Sequence, residues 1–456
     1  MGPVLDSVAA DADVPARSDV VVVGGGIVGV STALVLAERG VSVTLCEKGE
    51  IAGEQSSRNW GWCRQMGRDP AEVPLSVESL RLWEGMNARV GAETGFRRAG
   101  IVYVCDTPKE LARHEGLIAQ AREYQIGTRL LGRDEIAAVL PGAARGWAGA
   151  VYTAGDGRAE PQKAVPAMAA AARRLGAVVL TGCAVRGVET RGGRVGAVVT
   201  ERGAIACDAV VLAGGAWSRL FCGNLGVELP QLKVLGSVLR TKPLDGPPEV
   251  AVGGSDFAFR KRLDGGYTIA YRNATEAPIA PDSLRLLPDF LPSLWSQRHE
   301  LRLRLDGRFF LEEWRRPRRW RMDEVTPFER ARVLDPAPSE AILRGARENV
   351  ARAFPAFAGM KVAQGWAGLI DVTPDAVPVI SPVDALPGFF VASGFSGHGF
   401  GIGPGAGRLM ADLVTGAPPV VDPAPFRHDR FRRTAARTGA RPTPAAGAAG
   451  PASRAT

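Results

Sequence analysis

The stretch "DVVVVGGGIVGVSTALVLAERGVSVTLCEKGE", residues 19 to 50, leaves few folds open. Four consecutive valines predict a strand buried on both faces. The chain then turns through Gly24-x-Gly26-x-x-Gly29 into a helix beginning at Ile27 and Val28, with Val30, Ala33, Leu34 and Ala37 apolar and Gly40 at its end. A second strand, "VSVTLCE", closes on Glu47, followed by Lys48. Each part has a task at a dinucleotide. Gly24 allows the tight turn, Gly26 lets backbone approach a pyrophosphate, Gly29 lets helix and strand pack closely, and the helix N-terminus offers N–H groups and positive dipole to phosphate. Glu47 can accept hydrogen bonds from both hydroxyls of an adenosine ribose. FAD and NAD both satisfy this pattern, and one such fingerprint in the chain disfavours an enzyme that binds both on two separate domains.

Two later segments share this texture. "AVVLAGGAW" is a buried strand ending on Gly214 and Gly215 before Trp217. "GFFVASGFSGHGFGIGPGAGRLMADLVTG" is a buried strand, a turn and a helix, with Pro404 suited to the first helical turn and Gly416 to its termination. Every second residue from Gly397 to Gly407 is glycine. Such a run gives up packing and backbone entropy, so it predicts a neighbour lying directly against the main chain.

Stretches of βαβ character near residues 19–47, 165–215 and 389–415 are separated by short strands and hairpins, such as "FAFRKRLDGGYTIAYR" with its "LDGG" turn. The expected architecture is α/β: a discontinuous Rossmann-type domain from 19–90, 150–230 and 375–425, with an inserted β-rich substrate domain from 91–149 and 231–374. Residues 1–18 and 432–456 read as a disordered leader and tail. The segment 283–332, with apolar residues at mixed helical spacing and then many arginines, reads as a packed helix, a lid or a docking surface.

Composition narrows the class. The net charge of +8 comes from arginines mostly flanked by acids, which does not favour nucleic acid. Four dispersed histidines make no metal site. Six widely spaced cysteines without a C-x-x-C pair, and no basic-then-apolar leader, read as a reduced cytoplasmic protein. No apolar run reaches the roughly 18 residues of a transmembrane helix.

Taken together, these motifs resemble the D-amino-acid oxidase and sarcosine oxidase family of flavoproteins, with its glycine oxidase and D-amino-acid dehydrogenase-like members, over most of residues 19–416. The resemblance implies non-covalent FAD. It sets the backbone of Val185 against adenine, the strand end at Gly214, Gly215 and Trp217 beside the cofactor, and Gly397, His398, Gly399, Phe400 and Gly401 against the flavin ring. The "GEQSSRNWGWCRQMGRDPAEVPL" segment is then the one that crosses the flavin, with Ser57, Arg58, Asn59, Trp60, Gly61 and Trp62 near the ring and Cys63 a buried free thiol. "WAGLIDVTPDAVPVISP" resembles a family strand and turn in which Asp375 and Pro378 return the chain to the cofactor.

The reaction so implied is oxidation of a C–N bond. Hydride leaves the carbon next to a neutral amine and reaches flavin N5, and the imine hydrolyses in water. Relatives place an arginine after "WAGL" and a lysine after "SGHGF", where this chain has Ile370, then Asp371, and Gly401. The catalytic and carboxylate-holding candidates are therefore Arg64, with Arg260, Tyr267 and Tyr271 in support, and His398, which could contact flavin or substrate without an acid/base role. Ile370 and Asp371 would line the substrate site, and Asp371 could attract a second cationic group. Thr268 stands where sarcosine oxidases keep a lysine that assists oxygen reduction. The expected substrate is a D-configured, cyclic or N-alkylated amino acid, and the acceptor is oxygen or an unidentified electron acceptor. Alternatives are a dehydrogenase of uncarboxylated amines serving a quinone or partner protein, a flavin-dependent tRNA-modification protein, and a non-catalytic flavoprotein subunit.

Overall fold

The computed structural model describes residues 2–296 and 301–431, so the tail expected at 432–456 lies outside the described residues. The nucleotide side is a six-stranded sheet with β1 (Val20–Val23), β2 (Val43–Cys46), β3 (Val178–Leu180), β4 (Ala209–Leu212), β5 (Val379–Pro382) and β6 (Phe389–Ser393), in the order β5-β6-β4-β1-β2-β3. All neighbours are parallel except β5 and β6. The helices that matter for the site are α1 (Ile27–Glu38), α2 (Val73–Glu84), α3 (Pro281–Arg285), α4 (Leu287–Ser296) and α5 (Gly399–Thr415). From Ile27 to Ala37 α1 is buried all round, because it lies between the sheet, α5 and the helix Pro161–Arg174. A helix apolar on every side is one enclosed on every side.

The second layer is a ten-stranded sheet. Its long strand Leu232–Thr241 pairs antiparallel with Val362–Val372, and Ile370 and Asp371 oppose Val234 and Lys233. The "LDGG" hairpin forms between Ala258–Lys261 and Tyr267–Ala270. Strand Gly149–Thr153 pairs with Ile101–Cys105 in this sheet, so the expected domain boundary at 150 falls within one of its strands.

Three expectations change. Residues 2–17, expected to be loose, run along the nucleotide domain, where Asp6 N donates to Gln162 O (3.1 Å) and Asp11 N to Val179 O (2.8 Å), while Asp11 pairs with Arg173. These contacts satisfy a segment whose composition carries no periodicity. Pro404 is not in the first turn of α5 but inside the helix, which begins at Gly399.

The glycine run divides into two. A β-carbon at Gly403 would stand 2.5 Å from Ile27 Cγ1, at Gly405 2.8 Å from Leu75 O, and at Gly407 2.3 Å from Ser31 Cβ. Gly403 to Gly407 therefore let α5 approach α1 and α2, and it is Gly397 to Gly401 that face the cavity described below. Ser79 fixes the helix crossing: its hydroxyl donates to Gly401 O (2.8 Å) and accepts from Gly405 N (3.2 Å).

Candidate active site

A cavity of about 720 Å³ is lined by Glu47 and the turn at Gly24 and Gly26, by Gly214 and Trp217, by Gly397–Gly401, and by Arg64 and Tyr271. That volume is in the range of a cofactor and small-ligand site. The first turn fixes its nucleotide end. Gly24 adopts φ +112°, and its β-carbon would lie 2.4 Å from Ala213 O. Gly29 does not line the cavity; its β-carbon would stand 2.0 Å from Gly24 O, so it serves the close packing of α1 on the turn. Glu47 Oε2 accepts from Gly25 N and Oε1 from Gly49 N, both at 2.7 Å. Burial pushes its carboxyl above the ordinary value, while Lys48 and the two N–H groups oppose the rise. Lys48 Nζ bridges Glu54 Oε1 (2.7 Å) and the carbonyls of Ala331 and Arg332, tying the cavity wall to the returning chain.

The segment after α1–β2 holds a one-residue shift. Ser56, not Ser57, lines the cavity, and its hydroxyl accepts from Ile27 N at 2.8 Å at the start of α1. Ser57 turns inward, where its carbonyl accepts from Gln162. Arg58 is buried and bonded to Asp335 (2.7 Å) and Ala367 O (2.8 Å), so it braces the loop although it borders the cavity. Asn59 Oδ1 caps Gly61 N, and Trp60 meets Trp62 edge-on with ring centres 5.2 Å apart. Cys63 is a buried free thiol. Val185, Gly214, Gly215 and Trp217 border the nucleotide half. Gly397, at φ +84°, has only Ile370 Cγ2 (3.9 Å) near its missing β-carbon, leaving bare backbone toward the cavity.

Two substrate candidates move away. Arg260 is 1% exposed and bidentate to Glu160 (2.6 and 3.0 Å), with Nε on Trp60 O. Tyr267 is wholly buried, donates its hydroxyl to Pro247 O (2.8 Å) and stacks edge-on with Phe357. Neither borders the cavity: the two lie on opposite faces of the hairpin, Arg260 held by Glu160 and Trp60 O and Tyr267 packed among Phe259 and Phe357, and only Tyr271, past the strand end, emerges into the cavity. Thr268 likewise stays inside, accepting from Arg262. The lysines that do line the cavity, Lys48 and Lys233, are ion-paired to Glu54 (2.7 Å) and Glu313 (3.1 Å).

Asp371 is also committed. Its Oδ2 accepts from Gly394 N (2.6 Å), Gln231 Nε2 (3.0 Å) and Ser393 Oγ (3.2 Å), and burial raises its pKa. It ties strand ends together, which removes the reason for expecting a basic substrate; Ile370 beside it is an apolar wall.

The polar end joins Arg64 and His398, both expected from sequence, to Tyr103, His114 and Arg272, which sequence reasoning did not single out. Arg272 lies 4.3 Å from the centre of the Tyr103 ring, and Arg64 lies 5.7 Å from the same centre. Arg64 donates to the carbonyls of Met66 and Gly67, and Arg272 to Gly254 O (3.1 Å). His114 borders the same space; burial, aided by Arg272 and Arg113, pushes its pKa down to about 4. His398 Nδ1 is 3.1 Å from Glu72 Oε2. Burial lowers the His398 pKa against the pull of Glu72. Glu72, which burial alone would raise, is brought below its ordinary value by His398, Arg68 and Arg64. Asp156, wholly buried, accepts from Gln65 N (2.7 Å) and Met66 N (3.3 Å) and so orders the loop bearing Arg64; burial pushes its pKa up to about 6.

The outer wall is formed by residues from 279–296 and 301–303. Leu284, Leu287, Phe290 and Leu294 of α3 and α4 border the cavity, while Leu291, Trp295, Leu305 and Trp314 point outward at 53%, 70%, 87% and 64% exposure. This segment is therefore both a wall and an exposed apolar surface rather than a packed helix. Among the described residues no helix is long and apolar enough to cross a membrane, and no metal-ligating cluster occurs.

The residues present fit a flavin dinucleotide. The cavity is continuous from the Glu47 carboxylate to side-chain-free backbone at the N-terminus of α5, and the buried Nη1 of Arg68 and Nε1 of Trp62 have no protein partner among the described residues. A family model described as FAD dependent oxidoreductase matches residues 19–413. Glycine oxidase from Pseudomonas aeruginosa is 27% identical over 415 residues, 89% of this chain and 97% of that protein. Among solved structures, L-amino acid deaminase from Proteus myxofaciens, in complex with anthranilate, superposes with TM-score 0.91 at 37% identity, covering 94% of this chain and 97% of the other. L-amino acid deaminase from Proteus vulgaris gives 0.89 at 34% identity, covering 94% and 100%.

Proposed function

The chain belongs to the DAO family of FAD-dependent oxidoreductases and oxidises the C–N bond of an amino acid or amine, and from that premise we propose that its substrate is an L-α-amino acid with a large apolar side chain. The observation that carries this reading is the pairing of Arg272 and Arg64 on Tyr103 at one end of a cavity whose outer wall is Leu284, Leu287, Phe290 and Leu294. Guanidinium groups hold a carboxylate by charge-assisted, directional bonds. The apolar wall takes the side chain, whose burial is favourable by about 25 cal/mol per Å². The likeness to two L-amino acid deaminases supports the L configuration in place of the D-configured, cyclic or N-alkylated amino acids expected from sequence.

The chemistry that FAD supplies when bound is acceptance of a hydride from the carbon attached to nitrogen. Glu47 would hold the ribose hydroxyls, the N-terminus of α1 the pyrophosphate, and the backbone of Gly397–Gly401 the ring. Arg272 and Arg64 fix the carboxylate so that the α-carbon is presented in one orientation. The wall of α3 and α4 keeps water from that carbon. The hydrogen bond between His398 Nδ1 and Glu72 would hold the imidazole in place at the N-terminus of α5. The imine product hydrolyses to a keto acid and ammonia.

For the electrons we favour an acceptor other than oxygen, because both lysines bordering the cavity are neutralised by carboxylates. The exposed apolar and arginine-bearing face of residues 301–321 beside α4 is the surface we assign to that acceptor. Six free, buried cysteines agree with a reducing compartment such as the cytoplasm. None of the relatives named above is a tRNA-modifying protein.

The test is a panel of L- and D-amino acids and uncarboxylated amines, assayed for keto acid or aldehyde and ammonia with an artificial electron acceptor and, separately, with oxygen. Turnover of L-leucine or L-phenylalanine well above their D-forms supports the reading. Preference for D-forms or for amines without a carboxylate removes it.

A further inference from the structure

Arg68 is 2% exposed, yet it borders the cavity next to Gly399–Gly401. Among the described residues its one hydrogen bond runs from Nε to Arg64 O at 3.4 Å, and the buried Nη1 has no partner. Glu72, an acid of the same segment whose charge acts on Arg68, is hydrogen-bonded to His398 Nδ1 at 3.1 Å and makes no direct ion pair with the guanidinium. A β-carbon at Gly401 would stand 3.3 Å from Arg68 Nη2 and 2.8 Å from Trp62 O, so the guanidinium occupies the space above the first turn of α5 where position 401 has none for a side chain of its own. Burial brings the Arg68 pKa down to about 10, which leaves it a cation at neutral pH.

A buried guanidinium with no direct ion-pair partner among the described residues is costly unless an anion meets it. The N-terminal turn of a 17-residue helix points positive charge at the same place. Resting on the reading that this cavity holds FAD, we propose that Arg68, together with the N-terminal N–H groups of α5, stabilises the negative charge that reduction leaves on the N1–C2=O side of the flavin, and so sets how readily the ring accepts electrons. The substrate carboxylate is served elsewhere, by the two guanidinium groups stacked on Tyr103. Arg68 thereby acts on the electron-accepting step rather than on substrate affinity.

Two measurements on the FAD-loaded protein test this without turnover. One is the two-electron midpoint potential. The other is sulfite affinity: the sulfite sulfur lone pair forms a bond to N5 of oxidised flavin, and the displaced pair is delocalised as negative charge over N1 and O2, so adduct strength reports the cation there. Flavin absorbance and stoichiometry are recorded first, and these test the FAD reading by themselves. Arg68→Met is expected to shift the redox equilibrium at least tenfold toward oxidised flavin, a fall of about 30 mV for a two-electron couple, and to raise the sulfite dissociation constant at least tenfold. Arg68→Lys, which keeps the charge, should recover most of both. An Arg68→Met protein with full flavin and unchanged potential and sulfite affinity overturns the proposal, as does a rise in amino-acid KM with both of those constant, which would move Arg68 to the carboxylate. If Arg68→Met does not retain FAD, the unmutated protein decides: a sulfite adduct is expected, and its absence at saturating sulfite overturns the proposal.

Discussion

Arg272 and Tyr103 stack with the guanidinium 4.3 Å from the ring centre, and that contact joins two distant pieces of the chain at the polar end of the cavity. The tyrosine face holds the guanidinium by a cation–π contact, and Nη1 is fixed on Gly254 O, so a fork of donors is presented in one orientation.

Replacing Arg272 by alanine should therefore raise KM for α-amino acids about 10- to 100-fold, the loss of one or two charge-assisted hydrogen bonds. Turnover of an amine without a carboxylate should change little. Steady-state kinetics with matched pairs, such as phenylalanine and phenethylamine, make the comparison; equal effects on both would remove Arg272 from carboxylate binding. Arg64→Ala is expected to act in the same direction.

Phe290 borders the cavity from α4 with 9% exposure. Phe290→Ala should lower kcat/KM for large apolar amino acids relative to alanine by about 10-fold or more, the equivalent of one to three kcal/mol of pocket contact. An unchanged ratio between leucine and alanine would show that the side chain lies elsewhere.

Gly407 makes a separate prediction, about stability. A methyl there meets Ser31 Cβ at 2.3 Å and Thr32 N at 2.7 Å, in a crossing of two buried helices that cannot yield without backbone movement. Gly407→Ala should cost about 1–3 kcal/mol and lower Tm, while protein that does fold keeps its flavin spectrum, since Gly407 lies away from the cavity. A normal Tm contradicts the helix-crossing role.

Asp156 supplies a pH signature. Burial raises its folded pKa to about 6, above the value of roughly 3.8 expected when unfolded. The folded state thus binds the proton more tightly, so the stabilising contribution is complete below about pH 4 and is lost as pH rises through about 6; linkage puts it at roughly 3 kcal/mol. Asp156→Asn, which keeps an acceptor for Gln65 N, should remove that part of the fall in stability across this window. The difference between the two denaturation-versus-pH curves is the measurement, and parallel curves would contradict it.

What was legible in the sequence was local. The strand, turn and helix around Gly24, Gly26 and Gly29 are held within some thirty residues, and their burial and spacing follow from the residue types alone. At the substrate end Arg64 was legible, but Tyr103, His114 and Arg272 were not, because they come from three other stretches and meet it only through the fold. Arg260 and Tyr267 were misread for a related reason. Strand alternation puts the two on opposite faces without showing that neither reaches the cavity, and Glu160, remote in sequence, draws Arg260 into the interior. The glycine run was half understood: its spacing implies close approach, yet the identity of the neighbour, helix for Gly403 to Gly407 and cavity for Gly397 to Gly401, depends on where α1 and α2 lie.

The central claim, that a flavin held against bare backbone accepts electrons from an amino acid clamped at Arg272, is tested most directly by anaerobic titration of the purified, FAD-loaded protein. With L-leucine or L-phenylalanine the visible flavin absorbance should bleach at a substrate-dependent rate, and Arg272→Ala should need a higher concentration for half-bleaching. Protein that stays colourless after incubation with excess FAD, or yellow protein that no amino acid or amine bleaches, would contradict the account.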